Sequence, residues 1–144
     1  MARQFGSYSP AVPLGITWEE SLVLEDETGA AIDLTGYAVR AQLRDSVPAV
    51  NAATGEAVTD PVIEVTTPDY YTVAPAWPVV EGFSVPTPAN GTILLAVAPA
   101  DTWTCSPDNA KRKLVWDIRL VNTSTGYAIP VVNGKVSMLP GVTI

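Results

Sequence analysis

From Tyr37 to Arg44 the chain alternates strictly. Tyr37, Val39, Ala41 and Leu43 face one way, and Ala38, Arg40, Gln42 and Arg44 the other. A period of two with one apolar side predicts a half-buried strand with a wet outer face. The same pattern returns at Leu114, Trp116, Ile118 and Leu120, interleaved with Val115, Asp117, Arg119 and Val121. A less regular alternation starts at Ile16, where Ile16, Trp18, Leu22 and Leu24 share a face that Glu20 interrupts. Thr92–Val97 is a continuous apolar run, as expected of a strand buried on both faces. Val62, Ile63 and Val65 predict a short strand opened by Pro61, and Tyr127–Val132 and Gly134–Met138 predict two more. Pro99–Trp103 predicts a single helical turn.

Between these segments the punctuation is that of turns. Glu25–Gly29, Ile32–Gly36, Asn51–Gly55, Ser106–Asn109 and Asn122–Gly126 are small, polar or Gly-bearing. Residues 1–15, with Pro10, Pro13 and no periodicity, are expected to form an extended arm, either disordered or laid on a neighbour. Residues 61–88 hold six of the thirteen prolines, a density that forbids helix and interrupts any central strand. Yet Tyr70, Tyr71, Trp77 and Phe83 lie within this segment, and disordered linkers are poor in aromatics. An ordered insertion packed on something is expected. Residues 16–144 then form one all-β domain, an antiparallel sandwich of about seven strands, with the Pro-rich insertion at about 61–88.

Composition narrows the function. The 144 residues make one domain, which buries roughly 68–70% of its unfolded surface without staples. There is no His and one Cys, so the commonest general base, the commonest zinc ligand and any intrachain disulfide are missing. Fifteen acids against eight bases give a net charge of −7, which argues against binding nucleic acid through phosphates. Charged residues are 16% of the chain, against about 25% in ordinary soluble domains. That shortage predicts a surface partly covered by protein, because interface cores are depleted in charge. The longest uncharged stretch, Gly82–Ala100, is broken by Pro86, Pro88 and Pro99 and cannot span a membrane as a helix. The opening MARQFGSYSPAVPLG has no apolar core of about seven residues, so no secretory signal is expected. An unpaired Cys105 fits a reducing cytoplasm.

A family likeness rests on specific residues. A strand ends in the acidic turn at Gly29, followed by Ile32-Asp33-Leu34-Thr35-Gly36 and the strand to Leu43-Arg44. Near the end come Trp116-Asp117-Ile118-Arg119-Leu120, a polar turn, Gly134-Lys135-Val136 and Val142-Thr143. Over about residues 16–45 and 91–143 the chain resembles small immunoglobulin-like β-sandwich domains of tailed bacteriophages, of the kind found at the N-terminus of baseplate upper proteins. The Pro-rich stretch departs from their compact pattern. The resemblance implies a non-enzymatic virion component, assembled in the host cytoplasm, whose partners are other virion proteins and copies of itself. Its expected place is the tail, baseplate or fibre-attachment region, with capsid decoration as an alternative. A carbohydrate-binding module for a host glycan is the rival from another class.

Asp33-Leu34-Thr35-Gly36 reads as a corner held by side-chain bonds to backbone. Glu19, Glu20, Glu25, Asp26, Glu27 and Asp33 form a base-free acidic span, but without the Asp-x-Asp-x-Asp-Gly spacing of a calcium loop. No catalytic residue, cofactor or metal ligand is assigned. Lys111, Arg112 and Lys113, the only basic run, suit a solvated turn end or a contact with the acidic edge of another copy. Tyr70, Tyr71, Trp77 and Phe83 remain open between protein interface, satellite core and sugar platform. Trp18 and Trp116 read as core, and Cys105 as a small buried residue.

Overall fold

The computed structural model describes residues 6–141, so the first five residues of the expected arm and the closing Val142-Thr143 lie outside the described residues. The chain is mainly β. Its elements are β1 (Gly6–Ser7), β2 (Ala11–Pro13), β3 (Trp18–Val23), β4 (Tyr37–Arg44), β5 (Ile63–Thr66), β6 (Val79–Val80) and β7 (Phe83–Ser84). A 3-10 turn at Pro88–Asn90, β8 (Thr92–Val97), α1 (Pro99–Cys105), β9 (Arg112–Asn122) and β10 (Ala128–Leu139) complete it.

Two sheets share one core. The larger runs β1-β10-β9-β4-β5-β6, with β2 also on β10, and the smaller runs β3-β8-β7. Their inward residues, among them Val39, Leu43, Ile93, Leu95, Leu114 and Ile118, form a single buried cluster. The two clean alternations fall on β4 and β9, which pair antiparallel at the centre of the larger sheet. Trp18 and Trp116 meet across the core with ring centroids 5.4 Å apart. Glu20, the acid that breaks the β3 face, accepts hydrogen bonds from Trp18 Nε1 at 3.2 Å and Tyr8 Oη at 2.8 Å.

Several expectations are corrected. The larger sheet is mixed, because β1 and β2 run parallel to β10 and β6 runs parallel to β5. Residues 6–13 are extended, as expected of an arm, but they lie on the chain's own last strand. Tyr8 N–H donates to the Asn133 carbonyl at 2.8 Å, Trp116 Nε1 donates to the Tyr8 carbonyl at 3.0 Å, and Val12 is buried. Gly134 makes this seat possible, since a Cβ there would collide with the Tyr8 carbonyl oxygen. Pro10 and Pro13 hid the pairing, because an edge strand shows no alternation when its neighbours are prolines.

Ile16 precedes β3 and is exposed. β8 is buried on one face only, with Leu94 and Ala96 outward: the small sheet has nothing packed on its outer side among the described residues. α1 is longer than one turn; Thr102 Oγ1 donates to the Pro99 carbonyl and Cys105 plugs the core end. The two final strands expected from the sequence are one, β10, bent by a register shift between Pro130 and Val132. The corner at Asp33 is as expected: Asp33 Oδ1 accepts from Thr35 N–H at 2.9 Å and Thr35 Oγ1 at 2.7 Å, and these bonds hold its carboxyl below the usual range.

Candidate functional site

The outer face of β4 is wet only in part: its side chains are half-buried, and Gln42 and Arg44 border an open groove. It is roofed by the Pro-rich segment, and the point of attachment is Glu64. This residue sits in the middle of β5, directly opposite Gln42 of β4 and beside Val79 of β6. Its neighbours Ile63 and Val65 point into the core, so alternation sends its carboxylate to the outer side, where it is nonetheless 0% exposed.

Four side chains converge on that carboxylate. Arg40 Nε donates to Oε2 at 2.8 Å and its Nη2 lies 2.7 Å from the same oxygen. Oε1 accepts from Tyr71 Oη at 2.7 Å, Trp77 Nε1 at 2.8 Å and Gln42 Nε2 at 3.1 Å. Arg40 Nη2 also donates to the Tyr71 hydroxyl at 3.1 Å. Tyr70 stacks edge-on against Tyr71 with centroids 4.9 Å apart, and the Arg40 guanidinium lies 5.3 Å from the Tyr70 ring centre. Burial first, then the bond to Glu64, pushes the Tyr71 hydroxyl far above its ordinary value of 10.0, so it stays a donor at any physiological pH. A buried carboxylate is tolerated only when it is paired and hydrogen-bonded, and this one is both.

The network places the expected contact residues. Tyr70, Tyr71 and Trp77 are half-buried; Tyr71 and Trp77 are tied at their polar ends to Glu64, and Tyr70 is held by its ring against Tyr71 and Arg40. Phe83, expected with them as a contact residue, is 1% exposed and belongs to the core; it sits in β7 against Leu95, where the segment has already rejoined the small sheet. The basic run divides likewise. Arg112 is bound inside the molecule: its Nη2 donates to both carboxylate oxygens of Asp45 at 2.7 and 2.8 Å, and its Nη1 to the Cys105 carbonyl at 2.7 Å. Lys111 and Lys113 are exposed.

Cys105 is buried under this tie, and burial pushes its thiol up to about 11, with the Arg112 charge opposing. At pH 8 the folded protein should therefore react with a thiol reagent at least about a hundredfold more slowly than the unfolded chain. A time course of labelling with and without denaturant measures this.

One feature had no strong signal in the sequence. Residues 45–60, with Asn51–Gly55 at the tip, form a projecting hairpin held by its own bonds. Asn51 N–H donates to the Glu56 carbonyl at 2.8 Å, Val58 N–H to the Ala49 carbonyl at 2.9 Å, and Arg44 Nη1 to the Thr59 carbonyl at 2.6 Å. Every residue in it is exposed except Pro48, which is half-buried. Val47, Val50 and Val58 are exposed by 82%, 60% and 66%. Between this hairpin and the roof of Pro75, Ala76 and Trp77 runs a groove of about 1090 Å³. Its floor is the outer face of β4, β9 and β10, with Gln42, Arg44, Asp117, Arg119 and Lys135. Arg119 is paired with Asp117 at 2.6 Å, and Glu56 and Asp60 also line the walls, so the floor is of mixed charge.

Among the described residues no group of three or more His, Cys, Asp or Glu is placed to hold a metal ion, and no helix is long and apolar enough to cross a membrane. No protein-family model and no curated protein matches this chain.

Proposed function

We propose that this chain is a non-enzymatic structural protein of a tailed phage particle, docking to other virion proteins in the tail, baseplate or fibre-attachment region. The fold in this reading is an immunoglobulin-like sandwich. The strand order supports it: β10-β9-β4 extended by β5 and β6 faces β3-β8-β7, the order of a variable-type immunoglobulin domain with two extra strands on the larger sheet, with β6 differing in running parallel to β5. The Trp18–Trp116 contact fills the centre that a disulfide occupies in antibody domains.

The observation that carries the docking role is the projecting hairpin. Bare valines on a self-supported hairpin contribute little to their own fold and much to a partner that covers them. The roof across the groove is pinned by Glu64, so both walls are ordered before a partner arrives, which lowers the cost of binding.

The test is assembly. Particles encoded by the same genome should contain the chain in fixed stoichiometry by mass spectrometry, and purified protein should co-sediment with particles that lack it. Val47→Asp with Val50→Asp should reduce recovery by about tenfold or more, since each buried valine contributes roughly 1.5–3 kcal/mol. Melting should be unchanged, because neither side chain is in the core. A chain absent from particles that also fails to co-sediment overturns the reading. Binding to a glycan array that is lost on Trp77→Ala transfers the function to carbohydrate recognition.

A further inference from the structure

The sheet edges of this protein are not equally protected. β6 and β7 are two residues long and flanked by Pro78 and Pro86, and the β1–β2 edge is short and carries Pro10 and Pro13. Short edge strands and prolines are the usual defences against pairing with another chain. β3 has neither. It is six residues long, free of proline and glycine, and forms one side of the smaller sheet.

The direction of its backbone groups follows from its single ladder. Leu24 N–H donates to the Gly91 carbonyl at 2.9 Å, which makes Leu24–Gly91 a hydrogen-bonded pair of the antiparallel ladder. In the observed register Leu22–Ile93, Glu20–Leu95 and Trp18–Val97 are then hydrogen-bonded pairs, and Glu19, Ser21 and Val23 are the intervening ones. The N–H and C=O groups of Glu19, Ser21 and Val23 therefore point away from β8. Among the described residues none of them has a hydrogen-bond partner. Their side chains face outward with those of Leu94 and Ala96, on a sheet face that carries no lysine or arginine.

We propose that β3 is a dimerisation edge, pairing antiparallel with β3 of a second copy about a two-fold axis at Ser21. The edge is self-complementary in that register. Ser21 meets Ser21, Glu19 lies opposite Val23, and no acid faces an acid. The two Glu19 residues are four positions apart along the strand, about 13 Å, which exceeds the screening length of roughly 8 Å at physiological salt. Each of the three outward residues exchanges both of its backbone groups, giving about six hydrogen bonds and a continuous six-stranded sheet. The area is that of a small interface, so the dimer belongs to the weak class. The edge is separate from the hairpin and the groove, and it holds whatever particle or partner the hairpin serves.

Sedimentation equilibrium of the full chain, at concentrations up to about 1 mM so that a weak dimer is populated, should give twice the 15.2 kDa monomer mass. Ser21→Pro removes only an outward N–H and leaves the β3–β8 ladder intact. It should be monomeric with an unchanged circular dichroism spectrum. Ser21→Cys places two thiols across the axis at the separation a disulfide spans, whereas Cys105 is buried; mild oxidation should cross-link it into a dimer, and Thr125→Cys should not. A wild-type monomer at the highest concentration, a dimer that survives Ser21→Pro, or an edge that pairs only with a strand of another protein overturns the proposal. Should Ser21→Pro unfold the chain, Ser21→Lys, which sets two like charges face to face, decides the question with the same readout.

Discussion

Replacing Glu64 with Ala should cost about 3–5 kcal/mol of stability, the range for removing one member of a buried ion pair. Arg40 would lose the one carboxylate it pairs with among the described residues, and Tyr71, Trp77 and Gln42 would each lose a buried acceptor. For a chain of this length the melting temperature should fall on the order of 10 °C. Glu64→Gln is the sharper variant. An amide keeps the shape but offers one acceptor oxygen in place of two, and its NH2 must face a donor; a loss of about 1–3 kcal/mol is expected. Urea unfolding measures both. Limited proteolysis should find new cleavage within residues 68–78 in the Ala variant, because the roof loses its pin while the core beneath is untouched. A Glu64→Ala protein as stable and as protease-resistant as the parent would show that the carboxylate holds nothing.

Phe83→Ala should be equally damaging for a different reason. The ring is enclosed between the two sheets, so truncation loses transfer energy and leaves a cavity, a change of about 3–5 kcal/mol. Tyr70→Ala, thirteen residues earlier in the same segment, should cost about 1 kcal/mol, chiefly the aromatic pair and the Arg40 contact. Denaturant midpoints of the two variants, side by side, test the assignment of one aromatic to the interior and the other to the surface. Equal small losses would return Phe83 to the docking residues.

The strands β4 and β9 were legible because each has one buried face and one polar face, and alternation reports that directly. Segments seated by single contacts, with no alternating face of their own, were not. The seat of residues 6–13 on β10 depends on Gly134 and on Trp116 reaching the Tyr8 carbonyl, and neither contact leaves a periodic trace. β8 looked buried on both sides because Leu94 is as apolar as its inward neighbours, although no layer among the described residues covers it. At the site, aromatics among prolines marked an ordered segment, but not what orders it. The signal was a single acid, Glu64, between Ile63 and Val65 in a strand-like run, followed by side chains that could donate to it. An acid in such a position is either a bulge at the surface or the acceptor of a buried network, and only the fold decides which.

The hairpin at residues 45–60 is tied to the rest of the molecule at its base, by Arg44 on the Thr59 carbonyl and by the Arg112–Asp45 pair. Its tip can therefore be lengthened, shortened or exchanged without disturbing the framework. Its sequence could drift over about a dozen codons while everything that makes the chain fold stays fixed. For the experimenter the same separation makes Ala52–Thr54 the place to graft an epitope or fluorophore.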